Sequence, residues 1–246
     1  MWSLFHKFGS PPWLYRLSGA ILRWLLPLAV FGIIVGATWG LLYTAPDFRQ
    51  GNSYRIIFVH VPAAIVALAG YYVMAIAGAI HLIWKMKIAD VAMMAAAPVG
   101  AALTFLALVT GSIWGKPTWG AWWVWDARVT SVLILFFLYL GVIALYEAYD
   151  NKAAASRACA VLSLVGTVNI PIIYKSVDWW YSLHQPASIK FLGETTIDAS
   201  MLYPLLLCIL SVYGLFTCAL LGNMRVAILR RERRTSWVQR LAAETA

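Results

Sequence analysis

Long apolar stretches, broken by polar or Pro/Gly-rich residues, divide the chain into six runs, near residues 21–43, 56–84, 93–113, 129–147, 157–174 and 200–222. Most are roughly 18 to 25 residues long, which is what an α-helix needs to cross a hydrocarbon core of about 30 Å. The second run is the longest and is expected to tilt or protrude. Backbone groups in lipid must bond within their own segment, so runs of this length suit helices, not the roughly ten-residue alternation of an outer-membrane barrel. The predicted fold class is an all-α integral membrane protein. Residues 1–246 form a single six-helix transmembrane domain, with an arm at 1–20, a Trp-rich loop at 114–128, a loop at 175–199 and a basic tail at 223–246.

Composition agrees with this division. The chain is 62% hydrophobic and only 12% charged, with a mean hydropathy of +0.76, too few polar residues to cover a water-soluble globule. Charge adds an orientation. Thirteen of the nineteen Lys and Arg residues lie in the N-terminal arm, the second and fourth loops and the tail; the other six are Arg49, Arg55, Lys116, Arg128, Lys175 and Lys190. Both termini are therefore predicted to be cytoplasmic, with loops one, three and five facing out. The net charge of +9 is accounted for by this asymmetry and an anionic leaflet, without nucleic acid. No cleavable signal is expected, because the first run exceeds a signal core in length and ends at "YTAPDF" without an Ala-x-Ala pattern.

Several motifs point away from chemistry. Cys159, Cys208 and Cys218 all fall inside predicted spans and read as small packing residues. "GSIWGK" is not a phosphate loop, since its second glycine is one residue early and Pro117 follows the lysine. Any ATP-driven step must belong to a partner. Gly32, Gly36 and Gly40 make two overlapping Gly-x-x-x-Gly steps, which serve either packing within the bundle or a subunit contact.

The outward side carries the candidate chemistry. Of the four histidines, His6 and His81 read as interfacial residues on the inner side, whereas His60 and His184 fall on the outer side. Seven of the thirteen tryptophans lie in or beside two outer loops: Trp114, Trp119, Trp122, Trp123 and Trp125 near the third, and Trp179 and Trp180 in the fifth. An ordinary aromatic belt would be spread around both sides of the bundle. If 119–126 forms a short helix, Trp119, Trp122, Trp123 and Asp126 share one face as an aromatic plate, with Trp125 directed elsewhere. Arg55 and Arg128 are nearby cations able to bind an anion. A flat aromatic surface, two imidazoles and guanidinium groups together suit haem: indole stacks on the macrocycle, neutral imidazoles bind iron, and Arg pairs with the propionates. Asp126 is cast in a supporting role, holding Arg128 or an indole N–H.

"WGAWWVWDARVTS" (119–131) resembles the Trp-rich, Asp-containing signature of the haem-handling proteins of c-type cytochrome maturation. The six-span plan and the flanking histidines resemble the cytochrome c maturation protein C family, over essentially the whole chain. The resemblance implies haem b held by His60 and His184 as axial iron ligands. Its aromatic platform would be Trp119, Trp122, Trp123 and Trp125, with Asp126 and Arg128. It further implies a non-enzymatic role at the periplasmic face of the bacterial inner membrane, loading haem onto the periplasmic haem chaperone CcmE. The implied partners are the ABC ATPase CcmA, the membrane subunit CcmB and the small membrane subunit CcmD. Two rival classes remain, a haem-conducting permease and a b-type electron-transfer cytochrome.

Overall fold

The computed structural model describes residues 9–185 and 197–245; His6, Lys7, Pro186 and Lys190 lie outside the described residues. Among the described residues there is no named strand, and six segments are long and apolar enough to cross a membrane: Pro11–Tyr43, Ser53–Trp84, Lys87–Trp119, Ala127–Ala148, Lys152–Trp179 and Ala199–Arg231. The helices are α1 (Pro11–Thr38, continued by a π turn over Trp39–Tyr43), α2 (Ile57–Trp84, preceded by a 3-10 turn over Ser53–Ile56), α3 (Lys87–Trp119), α4 (Ala127–Ala148), α5 (Lys152–Gly166), α6 (Asn169–Trp179), α7 (Ala199–Arg231) and α8 (Ser236–Thr245). Side chains such as Phe31, Ile76, Phe105, Phe137 and Leu210 are exposed on the outside of the bundle, where lipid chains would meet them.

Most helices outrun the apolar stretches that announced them. α1 starts at Pro11, with Ser10 extended before it, because proline has no N–H to leave unpaired in a first turn. Its polar opening stays helical through tertiary contacts: Arg225 of α7 lies 3.7 Å over the Tyr15 ring, and Trp237 of α8 packs against the same ring at 5.7 Å. α3 continues to Trp119, so Trp114 and Lys116 are helical, not in a loop. The fifth span is two helices. Pro171 has no N–H for the Thr167 carbonyl, and the chain tightens there, with Ile170 N donating to Thr167 O at 3.0 Å. α5 packs on α2 and α4; α6 is re-aimed along α4.

The centre is an α2–α3 antiparallel pair, turned at Lys85 (φ 53°) and flanked by α4, α5 and α7. Small residues set the approach distances. Tyr71 and Tyr139 meet edge to face at 5.0 Å, and Tyr139 donates to the Ala67 carbonyl at 2.8 Å. A Cβ at Gly100 would overlap the Tyr139 ring, so α3 and α4 pack this closely only with glycine there. α1 lies along α7, and its glycines settle the choice left open by the sequence: a Cβ at Gly36 would stand 2.8 Å from Cys208 Sγ, and one at Gly40 would run into the Phe58 ring. They serve packing within the bundle. The three cysteines are buried and free, as expected of packing residues.

At one end, Arg231 pairs with buried Asp90 at 2.8 Å and Asn223 donates to the Ala95 carbonyl at 3.2 Å. The other end holds the first, third and fifth connections.

Gly100→Ala is expected to overpack the Tyr139 contact and cost about 1 to 3 kcal/mol. Gly222→Ala, where nothing lies within 4 Å, is expected to be neutral or stabilising by up to about 1 kcal/mol. Thermal unfolding in detergent, followed by circular dichroism, checks the pair.

Candidate functional site

The first connection is a tight turn that reaches across to the third. Asp47 Oδ1 accepts from the Arg49 and Gln50 amides at 2.9 and 2.8 Å, and Gly51 turns the chain back at φ +57° to bridge Asp47. The turn is clamped to α1. Tyr54 donates to Thr44 Oγ1 and to the Ala45 carbonyl, while Arg55 Nη2 donates to the Thr44 carbonyl at 2.6 Å. Arg55 thus anchors the loop, and its Nε is buried without a hydrogen-bond partner among the described residues. Gln50 extends the connection by accepting from Trp114 Nε1 at 2.7 Å.

Trp114 leads directly to the first histidine. His60 sits in the opening turn of α2, half-buried, with the Trp114 indole edge-on at 5.7 Å and 76°. One helical turn earlier on α3, Thr110 Oγ1 lies 3.1 Å from His60 Nδ1. Between them Gly111 leaves the space that the imidazole fills, since a Cβ there would stand 3.1 Å from His60 Cε1.

The Trp-rich stretch does not form the short helix that would align its indoles. Gly120, at φ +80°, caps α3 by donating to the Lys116 carbonyl at 3.1 Å, a left-handed position that ends the helix. Residues 121–126 run without helical structure until Asp126 caps α4. The predicted shared face of Trp119, Trp122, Trp123 and Asp126 is therefore absent, and the indoles separate. Trp119 packs against His184 at 6.3 Å. Trp123 meets Trp125 edge to face at 5.5 Å, while Trp122 and Trp125 are 59% and 77% exposed.

Asp126 joins the third connection to the fifth. It accepts from the Arg128 and Val129 amides at 2.8 and 3.3 Å, from the Leu183 amide at 3.0 Å and from the Ser182 hydroxyl. It holds Arg128 by its amide and, in addition, holds the chain beside His184, a contact the sequence did not announce. Burial pushes its carboxyl up, but these donated hydrogen bonds outweigh that and hold it below the usual carboxylate range. The Arg128 guanidinium donates to the Tyr174 carbonyl at 2.9 Å and to Ser176 Oγ at 3.3 Å, with Nη1 3.3 Å from His184 Nδ1. Closer still, the Gln185 carbonyl is 2.8 Å from that nitrogen. Burial lowers the His184 imidazole pKa below its ordinary value, Gln185 opposes this, and nearby Arg128 adds to it.

His60 and His184 both pack against indoles of the last two turns of α3, Trp114 and Trp119. The structure therefore gathers His60, Trp114, Trp119, Asp126, Arg128 and His184 at one end, with Arg55 anchoring the neighbouring loop. An open groove of about 520 Å³ between α4 and α6 is lined by Trp125, Thr130, Asn169, Trp180 and Tyr181, and by neither histidine. Thr110, Gln50 and Ser182 escaped sequence reasoning. The only signal for Thr110 was a hydroxyl inside an apolar run, which names no partner.

Asp126→Ala should remove the α4 cap and free residues 182–184, lowering stability by about 1 kcal/mol at pH 7. Asp126→Asn can keep the cap but loses the charge. Because the folded carboxyl titrates below the unfolded value of about 3.9, its contribution is complete above that pH and is lost as pH falls through the folded value. The stability gap between wild type and Asp126→Asn should close on acidification, as melting temperatures at pH 7 and in acid would register.

The family model described as heme exporter protein C matches residues 4–239. The chain is 48% identical to heme exporter protein C of Escherichia coli (strain K12) over 98% of this chain and 97% of that one. It is 45% identical to the Haemophilus influenzae protein of the same name over 98% of each chain. For the Bradyrhizobium diazoefficiens protein the figures are 48% over 92% of this chain and 86% of the relative. A match of this extent, on a chain with six apolar helices, means that the chain belongs to the heme exporter protein C family.

Proposed function

We propose that this chain is the haem-handling subunit of c-type cytochrome maturation, binding haem b between His60 and His184 at the periplasmic face of the inner membrane. The observation that carries the reading is the convergence of these two histidines, 124 positions apart in the chain, each with its own indole: Trp114 beside His60 and Trp119 beside His184. Among the described residues no group of three His, Cys, Asp or Glu side chains is placed to hold a bare metal ion. Two imidazoles instead suit an iron that brings its other four ligands in a macrocycle.

Haem supplies the iron with two axial positions and the propionates; the chain supplies orientation. His60 stands on a long helix, fixed against α3. His184 stands on a non-helical segment held by Asp126 and Arg128. Arg128, with Arg55, is the candidate partner for the propionates, and exposed Trp122 and Trp125 lie at the same end as platform residues with Trp123. One ligand on a rigid helix and one on a loop allow a partner to open the site from the loop side. That arrangement suits delivery to the chaperone CcmE within a complex of CcmA, CcmB and CcmD, with ATP hydrolysed elsewhere. His81 lies 21 residues along α2 from His60, about 31 Å at helical rise, and its Nδ1 faces the Met86 carbonyl at 3.4 Å. This favours one haem at one end over a transmembrane electron path.

The orientation follows from the positive charges. Arg225, Arg230 and Arg231 stand at the end of α7 opposite the site, as expected for a cytoplasmic end.

In the purified protein loaded with haem, His60→Ala and His184→Ala should each disturb a low-spin, bis-histidine spectrum, and His81→Ala should not. An undisturbed spectrum in both site variants sinks the assignment. Trp114→Ala and Trp119→Ala should each weaken binding by about 0.5 to 1.5 kcal/mol, with exposed Trp24 as control. Since only neutral imidazole binds iron and the His184 value is lowered, affinity should hold through about pH 6.5 and decline below it. In intact spheroplasts, a membrane-impermeant thiol reagent should label Thr118→Cys and spare Ala153→Cys; the reverse would invert the topology.

A further inference from the structure

The Thr110 hydroxyl has a single proton, and its destination is fixed by geometry. It points back along α3 to the Leu106 carbonyl at 2.7 Å, with the Ala107 carbonyl at 3.3 Å. A carbonyl only accepts, so the proton is committed there and Oγ1 has only a lone pair left for its other neighbour. That neighbour is His60 Nδ1, at 3.1 Å. Nδ1 must therefore carry the imidazole proton. Nε2 is left as the nitrogen with a free lone pair.

The steric half of the arrangement comes from the next residue. A Cβ at Gly111 would stand 3.1 Å from His60 Cε1 and 3.6 Å from Nδ1, so the ring edge occupies the space glycine leaves. Cε1 joins the two ring nitrogens, and a push there swings Nε2. Trp114, one turn further along α3, closes another side of the imidazole. Proton position and ring direction are thus set from one helix face.

We propose that Thr110 and Gly111 form a seat that holds His60 as the Nδ1–H tautomer and aims Nε2 at the haem iron. The seat's purpose rests on the reading of His60 as an iron ligand. Thr110 is a positioning residue, acting only through His60. At His184 the Nδ1 nitrogen faces both the Gln185 carbonyl, at 2.8 Å, and Arg128 Nη1, at 3.3 Å, so no comparable seat is assigned there. An outer acceptor on the far ring nitrogen fixes the tautomer and raises ligand basicity, and its loss commonly costs about 10- to 100-fold in metal affinity.

The test uses the full-length protein in detergent with ¹⁵N-labelled histidine rings, free of haem and then titrated with it. Wild type and Thr110→Ser should show His60 protonated on Nδ1 alone. Thr110→Val, similar in shape but without a hydroxyl, should show mixed tautomers and bind haem about tenfold more weakly, with serine restoring both. Gly111→Ala should keep the tautomer and still lose affinity. A single Nδ1–H signal retained in Thr110→Val overturns the hydroxyl's role, and wild-type affinity in Gly111→Ala overturns the steric role. His60→Ala separates this from the ligand assignment. An unchanged haem spectrum there defeats the assignment, while the ring signals of the haem-free protein still decide the seat.

Discussion

A backbone amide or carbonyl withdrawn from water has to find a partner, and in this chain nearly everything else follows from where that requirement is met by helix and where it is met by a side chain. Inside the spans the helices satisfy it themselves. At their ends the first amides and last carbonyls are orphaned, and the residues that answer them are those that build the site. Asp126 caps α4 and, with the same carboxylate, ties down the segment leading to His184. Thr44 receives Tyr54 while its carbonyl receives Arg55, binding the first connection to α1.

Within the spans, small residues decide how close the helices come. Gly36 and Gly40 let α1 meet Cys208 and Phe58, Gly100 lets α3 meet Tyr139, and Gly111 lets α3 meet His60. The last of these is continuous with the packing of the whole α2–α3 pair. Its neighbourhood is chemical as well as steric, because the residue preceding it, Thr110, brings a hydroxyl oxygen to 3.1 Å from the imidazole. Packing and the proposed preparation of His60 as a ligand are here one contact.

The two histidines differ in what they are mounted on. His60 belongs to a 28-residue helix packed on several neighbours; His184 belongs to a short irregular segment whose position depends on Asp126, Ser182 and Arg128. On the proposed reading, in which the two imidazoles hold a cargo that is later surrendered, that inequality lets displacement begin at His184 without unpacking the bundle.

The sequence by itself determined the six spans, their helical nature, the segregation of positive charge and the two regions that carry histidine and indole. These depend on composition, run length and short motifs, which are local properties. The tertiary structure decided what those residues touch. Periodicity suggested a shared face for Trp119, Trp122, Trp123 and Asp126, but Gly120 ends α3 and the indoles part. The break at Thr167 was hidden inside an apolar run because hydropathy does not register the missing N–H of Pro171. The pairing of His60 with Thr110, 50 residues away, depends on the register of α2 against α3, set by the Lys85 turn and by side chains along the whole interface. A local pattern carries no record of such a register, so only the folded chain could reveal it.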